Sequence, residues 1–490
     1  KQCSKQSLYA GNMDKHMLIP DLKKRFLLKA GIASTALAPL LSFSAKAAAA
    51  KAIDPVWAGA EQILRDLKQT SFPNHDFVIT AFGAQQNQRC DEAIAKAITA
   101  CHQAGGGRVV VPEGVWSTGP VHLQSNVNLH LQKNAVLSFV TDPQAYLPLV
   151  FTRWEGVELM GFSPLIYAYQ QQNIAVTGEG ILEGNASGDN WWPWKGVWKH
   201  TPWKLDPATD QKPGRDQLFA MAEAGVPVEK RILDNNRLRP PFIQPYQCQR
   251  VLIEGVTIRN SPFWLINPVL CKDVVIRGVN CISHGPNSDG CDPESCQRVL
   301  IENCLFDTGD DCIALKSGRN ADGRRLATPI QQVLIQDCLM KSGHGGVVIG
   351  SEISGGAKQI FARRCRMSSP DLERGLRIKT NSVRGGLIEQ VAVADIDIGE
   401  VKDAIVINFY YEEGDAGQFL PQVKDLDIRN FRVKKAQRAF EIRGLPRSGI
   451  SGIRMTDVSF EQASLGVLEN ASDFKLSHVS MNGKSWTGPK

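Results

Sequence analysis

A short hydrophobic unit recurs along the middle of this chain and sharply limits the folds that the chain can adopt. Its five clearest copies start 23 to 34 residues apart, and each joins a β-rich run to an Asn/Gly-type turn and another short run. Such a period is typical of a parallel β-solenoid, in which successive coils stack about 4.8 Å apart. Residues at the same position of successive coils then become neighbours. The copies begin Val251-Leu-Ile-Glu, Val274-Val-Ile-Arg, Val299-Leu-Ile-Glu, Val333-Leu-Ile-Gln and Ile360-Phe-Ala-Arg, and weaker ones begin at Leu387, Leu426 and Ile453.

The repeat also decides the expected number of domains. A globular chain of 490 residues would be expected to contain about three domains. A solenoid instead grows by adding coils, so one long domain is expected here. We therefore predict an all-β fold, a single-stranded parallel β-helix, over residues 71–490.

Four short motifs place charged residues at the turns of this repeat. Counted from the cysteines that close their units, Cys304 and Cys338, Asp310 and His344 each lie six residues further on. We therefore expect these two side chains to be close in space. The motifs are Asn287-Ser288-Asp289, Gly309-Asp310-Asp311, Gly343-His344-Gly345 and Arg377-Ile378-Lys379.

Side-chain direction matters for two of these motifs. Arg377 and Lys379 are two residues apart on a strand and share a face, so both cations can point at one ligand. Adjacent acids on a regular strand point to opposite sides. Asp310 and Asp311 can therefore serve one site only at a bend, which we expect Gly309 to permit.

The four motifs, in this order, resemble the signatures of the family 28 glycoside hydrolases, the polygalacturonases. The resemblance runs from about residue 76 to about residue 414, and it implies a right-handed parallel β-helix that hydrolyses galacturonan chains. It implies that Asp310 donates the proton, while Asp289 and Asp311 hold the attacking water. It also implies that His344 tunes the protonation of the acid and that a uronate substrate contacts Arg377, Lys379, Tyr411, Asn287 and Lys316.

Two positions depart from the usual form of the motifs. Ser288 stands where the family commonly has Thr, which is a mild change. Gly309 stands where endo-acting members often have Gln, and in this it resembles exo-acting members. The resemblance therefore implies attack from a chain end, with mono- or digalacturonate as the product.

Acetal hydrolysis explains why acids would be clustered. One carboxyl must still be protonated to donate to the leaving oxygen, and another must be ionised to activate water or to attack. Repulsion between neighbouring carboxylates keeps one of them protonated near working pH. An inverting reaction also needs room for a water, which predicts carboxyl separations of roughly 6.5 to 9.5 Å. Any one of these acids alone would be read as a turn former, so the joint spacing carries the interpretation.

The first 47 residues do not resemble part of the fold. Lys23-Lys24-Arg25 precedes an apolar run from Phe26 to Phe43, and Ala45-Lys46-Ala47 offers small residues for cleavage. Residues 17–47 are therefore predicted to be a signal peptide for the general export route, after 16 upstream residues. Residues 48–70 are predicted to be a linker. An uncleaved membrane anchor is the alternative, which the short Ala/Ser-rich run disfavours. We expect an exported protein, periplasmic or secreted.

Charge argues against nucleic acid as a partner. The whole chain has a formal net charge of +6, but residues 1–47 hold eight Lys/Arg and two Asp/Glu, so the remainder is neutral. A neutral surface lacks the basic field that attracts phosphate backbones. The expected partner is an acidic plant polysaccharide, polygalacturonate or its oligomers, bound by a local cation cluster on a monomer without a stable membrane span.

The twelve cysteines are expected to be mostly free thiols. Cys304, Cys338 and Cys365 fall at one repeat position, as a stacked column of small buried hydrophobic residues would. One or two disulfides would be compatible with export. No metal ion and no other cofactor are expected.

Two further segments flank the expected coils. The stretch from Asp91 to His102 places apolar residues on one helical face and ends at Gly105-Gly-Gly, which predicts a helix that caps the solenoid. Residues 190–245 break the repeat, carry five tryptophans and include a predicted helix at 216–224. This insertion is either a packed surface element or a wall of the substrate cleft, since aromatic faces stack on sugar rings.

Two alternatives belong to other functional classes. Parallel β-helices also serve as adhesins or tail fibres, which bind glycans without cleaving them. Pectate lyases share the architecture and the substrate, but they use calcium and an arginine base. Tight binding without hydrolysis would support the first alternative, and a chelator-sensitive reaction with an ultraviolet-absorbing product would support the second.

Overall fold

The computed structural model describes residues 54–198, 203–234 and 236–489. A single compact unit runs from Ile53 to Lys490. The predicted signal peptide at 17–47 and the residues upstream of it lie outside the described part of the chain. Within the described ranges, no helix is both long and apolar enough to cross a membrane.

Helices are few and lie outside the coils. The α-helices of the described ranges are α1 (Ala58–Asp66), α2 (Asp91–Gln103), α3 (Lys212–Glu223) and α4 (Asn320–Leu326). Short 3-10 helices span Ile79–Phe82, Pro143–Tyr146, Trp192–Lys195 and Val228–Lys230.

Strands make up the remaining regular structure of these ranges. Before the insertion they are β1 (Asp76–Val78), β2 (Gly107–Val111), β3 (Gly114–Thr118), β4 (Val121–His122), β5 (Val127–Leu131), β6 (Ala135–Phe139), β7 (Val150–Trp154), β8 (Val157–Gly161), β9 (Ile166–Tyr169), β10 (Gln172–Gly178) and β11 (Ile181–Glu183). After it come β12 (Ile243–Tyr246), β13 (Gln249–Glu254), β14 (Thr257–Arg259), β15 (Lys272–Arg277), β16 (Asn280–Ser283), β17 (Gln297–Glu302), β18 (Leu305–Thr308), β19 (Ile313–Leu315), β20 (Ile330–Gln336) and β21 (Leu339–Met340). The last ones are β22 (Val347–Ile349), β23 (Ala357–Met367), β24 (Arg374–Lys379), β25 (Leu387–Asn408), β26 (Gln422–Arg443), β27 (Ile453–Glu469), β28 (Phe474–Met481) and β29 (Lys484–Ser485).

The main stack of parallel strands follows the repeat that the sequence predicts. The starts of its five clearest copies lie side by side in one row, and this row confirms the parallel β-solenoid. One weak copy is out of register, because Val391 rather than Leu387 occupies the row. The row contains Val251, Val274, Val299, Val333, Ile360, Val391, Leu426 and Ile453.

Each coil contributes to three stacks of strands. The second stack includes β14, β16, β18 and β21, and the third includes β19, β22 and β24. The long strand β25 pairs with both β23 and β24, so it runs through all three stacks. Three of the charged motifs lie at the bend between the second and third stacks, and Arg377-Ile378-Lys379 forms the end of β24 in the third stack.

The interior of the solenoid is closed at its first coils by the predicted capping helix. α2 buries Ile94, Ala97, Ile98 and Cys101 in the continuous hydrophobic core. Full burial of an isoleucine side chain contributes about 1.5 to 3 kcal/mol, so this helical face stabilises the open end of the coil stack. The prediction of an N-terminal cap is confirmed.

Part of the segment predicted as a linker is helical. α1 lies within residues 48–70 and packs Ala60 and Ile63 on the outer face of the main stack. The repeat itself indicates that a helix covers this face. Its outward-facing positions would be polar if they faced water. Successive copies place Val275, Leu300, Leu334 and Phe361 there, and all four are buried.

The eleven cysteines within the described ranges are all free and buried, so the possible disulfides do not form among them. Cys304, Cys338 and Cys365 stack inside the coils, as predicted, because their neighbours on β18, β21 and β23 pair in register. Sulfur here acts as a small hydrophobic filler of the column.

The insertion is a packed element that ends slightly earlier than predicted. α3 begins at Lys212, before the predicted helix start, and coil structure resumes with β12 at Ile243. Trp191 and Trp194 are buried with their rings 4.8 Å apart, and Trp203 is also buried. Trp191 and Trp194 belong to the continuous hydrophobic core of the coils, so they anchor the insertion on the solenoid.

The antiparallel hairpin of β7 and β8 leaves the coils beside the insertion. α3 packs Leu218 in a hydrophobic cluster with Trp154 and Leu159 of the hairpin. The amide of Glu158 donates to Asp322 of α4 at 2.9 Å. We call the hairpin, α3 and α4 together the end wall, because they close one side of the cleft described below.

Candidate active site

The acids of the site owe their positions to coil register. One row of the third stack contains Cys291, Ile313, Val347 and Leu376. Asp289 and Asp311 each lie two residues before this row, so they hold the same place on consecutive coils. The amide of the next residue, Gly290, donates to the carbonyl of Asp311 at 2.9 Å, which fixes this alignment.

The three predicted carboxyls come together in one cluster. One oxygen each of Asp289, Asp310 and Asp311 lies within 4.8 Å of the other two. The expected separation of roughly 6.5 to 9.5 Å is therefore wrong for this chain. The fold explains the short distances, since residues one coil apart are separated by only about 4.8 Å. The carboxyl separation therefore does not distinguish inversion from retention in this chain. The groups that contact each carboxylate oxygen carry that distinction.

Asp310 and Asp311 share the site because the backbone bends at Gly309, as predicted. We expected the conformational freedom of glycine to permit the bend, but Gly309 does not adopt a positive φ. A Cβ at this position would instead lie 2.4 Å from the carbonyl oxygen of Gly285. Only glycine lets the two backbone segments approach so closely.

His344 contacts Asp310, as the register predicts. Its Nδ1 lies 2.7 Å from Oδ1 of Asp310, and its Nε2 lies 3.8 Å from an oxygen of Glu373. Gly343 makes this contact possible, because its φ is 145° and a Cβ there would lie 2.3 Å from the carbonyl oxygen of Asp310. The imidazole and the carboxyl form one proton-sharing pair.

Arg377 and Lys379 point at one ligand, as predicted, and in the free chain that ligand is Asp311. Nζ of Lys379 lies 2.7 Å from Oδ2, and Nη1 of Arg377 lies 3.2 Å from Oδ1. The ring of Tyr411 lies 5.1 Å from the Lys379 ammonium and 5.5 Å from the Arg377 guanidinium carbon. Gly345 leaves room for these contacts, since a Cβ there would meet both Asp311 and Arg377.

Lys316 aligns with Lys379 on the coil, as predicted, but it lies at the centre of a buried acid cluster. Its Nζ is 3.1 Å from Glu352, 3.4 Å from Asp292 and 3.8 Å from Asp289. The ring of Trp264 covers the ammonium at 4.4 Å. Lys316 lines the cleft, yet carboxylates of the protein already surround its charge.

Asp292 and Glu352 are site acids that sequence reasoning missed. Both are buried, and both oxygens of Asp292 lack a hydrogen-bond partner among the described residues. A signal for them exists in Lys316, which ends the apolar run Ile313-Ala-Leu. A lysine buried in such a strand requires carboxylates nearby, because an unpaired buried charge is very costly.

Asn287 lines the cleft but is held by the protein itself. Its Oδ1 accepts a hydrogen bond of 2.7 Å from Nη2 of Arg239. Arg239 is fully buried and also donates to the backbone carbonyls of Pro262 and Pro286. This network fixes the turn that presents Asp289 to the cleft.

Burial and neighbouring charges divide the acids into two classes. Burial, with Asp292 and Asp310 close by, raises the pKa of Asp289 well above its usual value. Burial would also raise the pKa of Asp310 and that of Asp311. For Asp310 it is outweighed chiefly by His344 and Lys379, and for Asp311 by Lys379 and Arg377, so both pKa values are lowered. The sequence predicts that the proton donor, Asp310, has the raised pKa. This prediction is wrong, because the pKa of Asp289 is raised and that of Asp310 is lowered.

The site opens into a cavity of about 230 Å³. This is smaller than the roughly 300 to 1,000 Å³ of clefts that hold drug-sized ligands, so it suits a short ligand. Glu155 and Arg215 of the end wall and Lys195 and Trp198 of the insertion line the same cavity as Asp289 and Asp310. The insertion is thus both a packed element and a wall of the cleft.

Three carboxylate oxygens at this spacing are also the pattern of a metal site. The surrounding charges disfavour a divalent cation, because Lys379 and Arg377 already neutralise Asp311, and Lys316 lies 3.8 Å from Asp289. Three fixed cations this close would repel a fourth. The cluster suits a water and an anionic sugar better than it suits calcium.

Comparisons with known proteins agree with this geometry. A solved exopolygalacturonase from Thermotoga maritima is 41% identical, covers 87% of this chain and 96% of its own, and superposes with a TM-score of 0.81. An exo-poly-alpha-D-galacturonosidase from Dickeya chrysanthemi is 26% identical over 428 residues, which are 82% of this chain and 67% of that protein. A probable polygalacturonase from Vitis vinifera is 25% identical over 404 residues, 79% of this chain and 74% of that protein.

The family signal covers the part of the chain that builds the site. The model of glycosyl hydrolases family 28 matches residues 228–480, which include every coil that carries a charged motif. Because this match spans half of the chain, and the Thermotoga maritima enzyme is similar over nearly its whole length, the protein is a member of glycosyl hydrolase family 28.

Proposed function

We propose that this chain hydrolyses α-1,4-galacturonosyl linkages of polygalacturonate from a chain end. The observation that carries the proposal is one cluster of three acids, an imidazole and two cations. Asp289, Asp310, His344 and Lys379 of this cluster line one small cleft. Acetal hydrolysis needs the acids, and a uronate substrate needs the cations. Relatives whose names describe exo action on galacturonan support this choice of substrate and mode.

Asp310 is the proposed proton donor, and it acts together with His344. Nδ1 of His344 lies 2.7 Å from Oδ1 of Asp310, so the imidazole orients the carboxyl that donates the proton to the leaving oxygen. A uronate bound at Lys379 neutralises one of the charges that lower the pKa of Asp310. Substrate binding thereby raises the pKa of Asp310, so that its carboxyl is protonated before it donates to the leaving oxygen.

Asp289 is the proposed base, and Asp311 helps it to hold the attacking water. Oδ1 of Asp289 is buried without a hydrogen-bond partner among the described residues, and the gap of at most 4.8 Å to Asp311 fits one bridging water. Burial and the neighbouring Asp292 and Asp310 raise the pKa of Asp289, which makes its ionised form a stronger base. Lys379 and Arg377 occupy the oxygens of Asp311, which disfavours its attack on the sugar carbon.

Water held in this way attacks directly, so we expect the reaction to invert the anomeric configuration. Galacturonate released from an α-linked substrate should appear first as the β anomer. Time-resolved proton NMR of trigalacturonate hydrolysis distinguishes the two anomers before they equilibrate. Early appearance of the α anomer would instead indicate a covalent intermediate on one of the acids.

Arg377, Lys379 and Tyr411 are the proposed contacts of a substrate galacturonate. The two cations can share a uronate carboxylate with Asp311, since guanidinium and ammonium groups donate several hydrogen bonds each. The ring of Tyr411 lies beside both cations and presents a flat surface to a sugar.

Exo action predicts a distinctive product pattern. A cleft closed by the end wall should release mono- or digalacturonate from polygalacturonate from the start of the reaction. Chromatography of early products, together with viscometry, measures this pattern. A rapid fall in viscosity with mixed longer oligomers would show endo cleavage and would contradict the proposed mode.

The cellular setting forms part of the same proposal. We infer an exported protein, periplasmic or secreted, on the strength of the signal-peptide pattern at residues 17–47. The neutral charge of the rest of the chain supports a polysaccharide partner rather than nucleic acid. Action as a monomer is part of the same proposal.

A further inference from the structure

The cleft that holds the catalytic acids is also lined by Glu155. Glu155 lies at the tip of the β7–β8 hairpin and lines the same cavity as Asp289 and Asp310, with its side chain only 9% exposed. Its φ is 41°, in the left-handed region that a glutamate rarely adopts. Gly156 also has a positive φ, so the two-residue turn of the hairpin accounts for this backbone conformation.

Contacts from two other segments hold the hairpin tip in place. The amide of Arg319 donates to the carbonyl of Gly156 at 3.0 Å, and a Cβ on Gly156 would lie 2.7 Å from that same amide nitrogen. Arg215 of α3 donates to Glu155 at 2.8 Å. Contacts from the hairpin, the insertion and a coil thus fix the position of Glu155. A residue that recognises a ligand needs such a fixed position.

Glu155 is an ionised acceptor in this setting. Burial would raise its pKa, but Arg215, Arg319 and Lys195 outweigh that effect and lower it. An ionised carboxylate accepts hydrogen bonds and donates none. Inside a cleft for uronic acids, its matching ligand group is therefore a sugar hydroxyl, since another carboxylate would be repelled.

The end wall lies on the side of the cleft that holds the proposed base. A Cβ on Gly156 would lie 3.0 Å from Cγ of Glu352, and Glu352 contacts Lys316 at 3.1 Å. Lys316 in turn lies 3.8 Å from Asp289. This chain of contacts connects the hairpin tip with Asp289.

The proposed proton donor faces a different segment. Asp310 contacts His344, and beyond His344 lies Glu373, which belongs to the coil segment before β24. A proton donor faces the leaving group, which is the reducing-end part of the chain. The sugar next to the end wall is therefore the one retained on the non-reducing side of the cleaved bond.

We propose that Glu155 recognises the free 4-hydroxyl of the terminal galacturonate at the non-reducing end, so that the end wall selects chain ends. This assignment rests on the proposed hydrolysis of galacturonan. In an interior residue O4 is a glycosidic oxygen with no hydrogen to donate, and the next ring would meet the wall formed by α3. Lys195 of the insertion and Arg215 of the end wall line the same cavity, and their charges suit the carboxylate of the terminal sugar.

The test compares two trigalacturonates that differ only at the non-reducing end, where one carries the 4-hydroxyl and the other carries hydrogen. The wild-type chain should favour the hydroxylated substrate in kcat/KM by roughly 10- to 150-fold, the range for a hydrogen bond to a charged group. Glu155→Gln keeps the size of the side chain and an acceptor for Arg215, and it should reduce this ratio by at least about fivefold. Glu229→Gln, an exposed change in the insertion, is the matched control and should leave the ratio unchanged.

The ratio is taken within one preparation, so partial unfolding of a variant cancels out. An unchanged ratio in Glu155→Gln, or equal loss on both substrates, would overturn the proposal and leave Glu155 a structural residue. A wild-type chain that does not distinguish the two substrates would overturn it as well. Failure of the proposed hydrolysis itself is a separate result, because the wild-type chain would then cleave neither substrate.

Discussion

Replacing Asp310 with Asn should lower kcat on trigalacturonate by two or more orders of magnitude, in line with the usual worth of general acid catalysis. Asn keeps the size of the side chain and can still contact His344, but it cannot pass on a proton. KM should change little, because Arg377 and Lys379 remain in place against Asp311. Steady-state kinetics on the natural oligomer measure both effects.

A substrate with a good leaving group distinguishes the catalytic role of the acid from that of the base. Hydrolysis of a dinitrophenyl α-galacturonide needs no protonation of the leaving oxygen, so Asp310→Asn should lose less than about tenfold on it. Asp289→Asn should lose activity on both substrates, since water still has to be activated. The opposite pattern would mean that Asp289, whose pKa is raised, donates the proton.

Asp307→Asn provides the matched control for this experiment. Asp307 lies on the same coil as Asp310, but its carboxylate pairs with His284 at 3.3 Å and does not line the cleft. Its replacement should leave kcat within about twofold of the parent value, as for most substitutions away from special features. Circular dichroism of each variant shows whether a loss of activity comes from unfolding.

Replacing Arg153 with Met should lower the free energy of unfolding by about 3 to 5 kcal/mol, because it leaves Glu294 as an unpaired buried charge. Nε of Arg153 lies 3.2 Å from Oε1 of Glu294, and both side chains are fully buried. Arg153 belongs to β7 and Glu294 to the third stack, so the pair joins the end wall to the coils. Urea denaturation followed by circular dichroism measures the change.

The double variant, Arg153→Met with Glu294→Met, should recover most of the lost stability, since apolar side chains of similar size replace buried ion pairs well. Arg432→Met breaks a pair with Asp397 in which both side chains are about half exposed, and it should cost less than about 1 kcal/mol. If the single and the double variant lost the same free energy of unfolding, the unpaired charge of Glu294 would not be the cause of the loss. Contacts other than this pair would then hold the hairpin.

By itself the sequence determined the stacking of the coils and much of the site. The contact of Asp310 with His344 follows from counting residues along the repeat. The shared ligand of Arg377 and Lys379 follows from the alternation of side chains along one strand. Counting succeeds because parallel pairing converts a period along the chain into a fixed spacing between coils. The capping helix α2 was predictable for a similar reason, since its apolar face has the helical period.

Only the tertiary structure decided which carboxyls have raised pKa values and how the cleft ends. The raised pKa of Asp289 depends on its burial beside Asp292, and Lys316 and Glu352 join the same cluster from other coils. Glu155 reaches the cleft because a hairpin and an insertion fold back over the coils. Neither segment follows the repeat, so no count of residues fixes where it lies. Its position depends on how its side chains pack and pair with distant parts of the chain, and a pKa depends on the charges and burial that result.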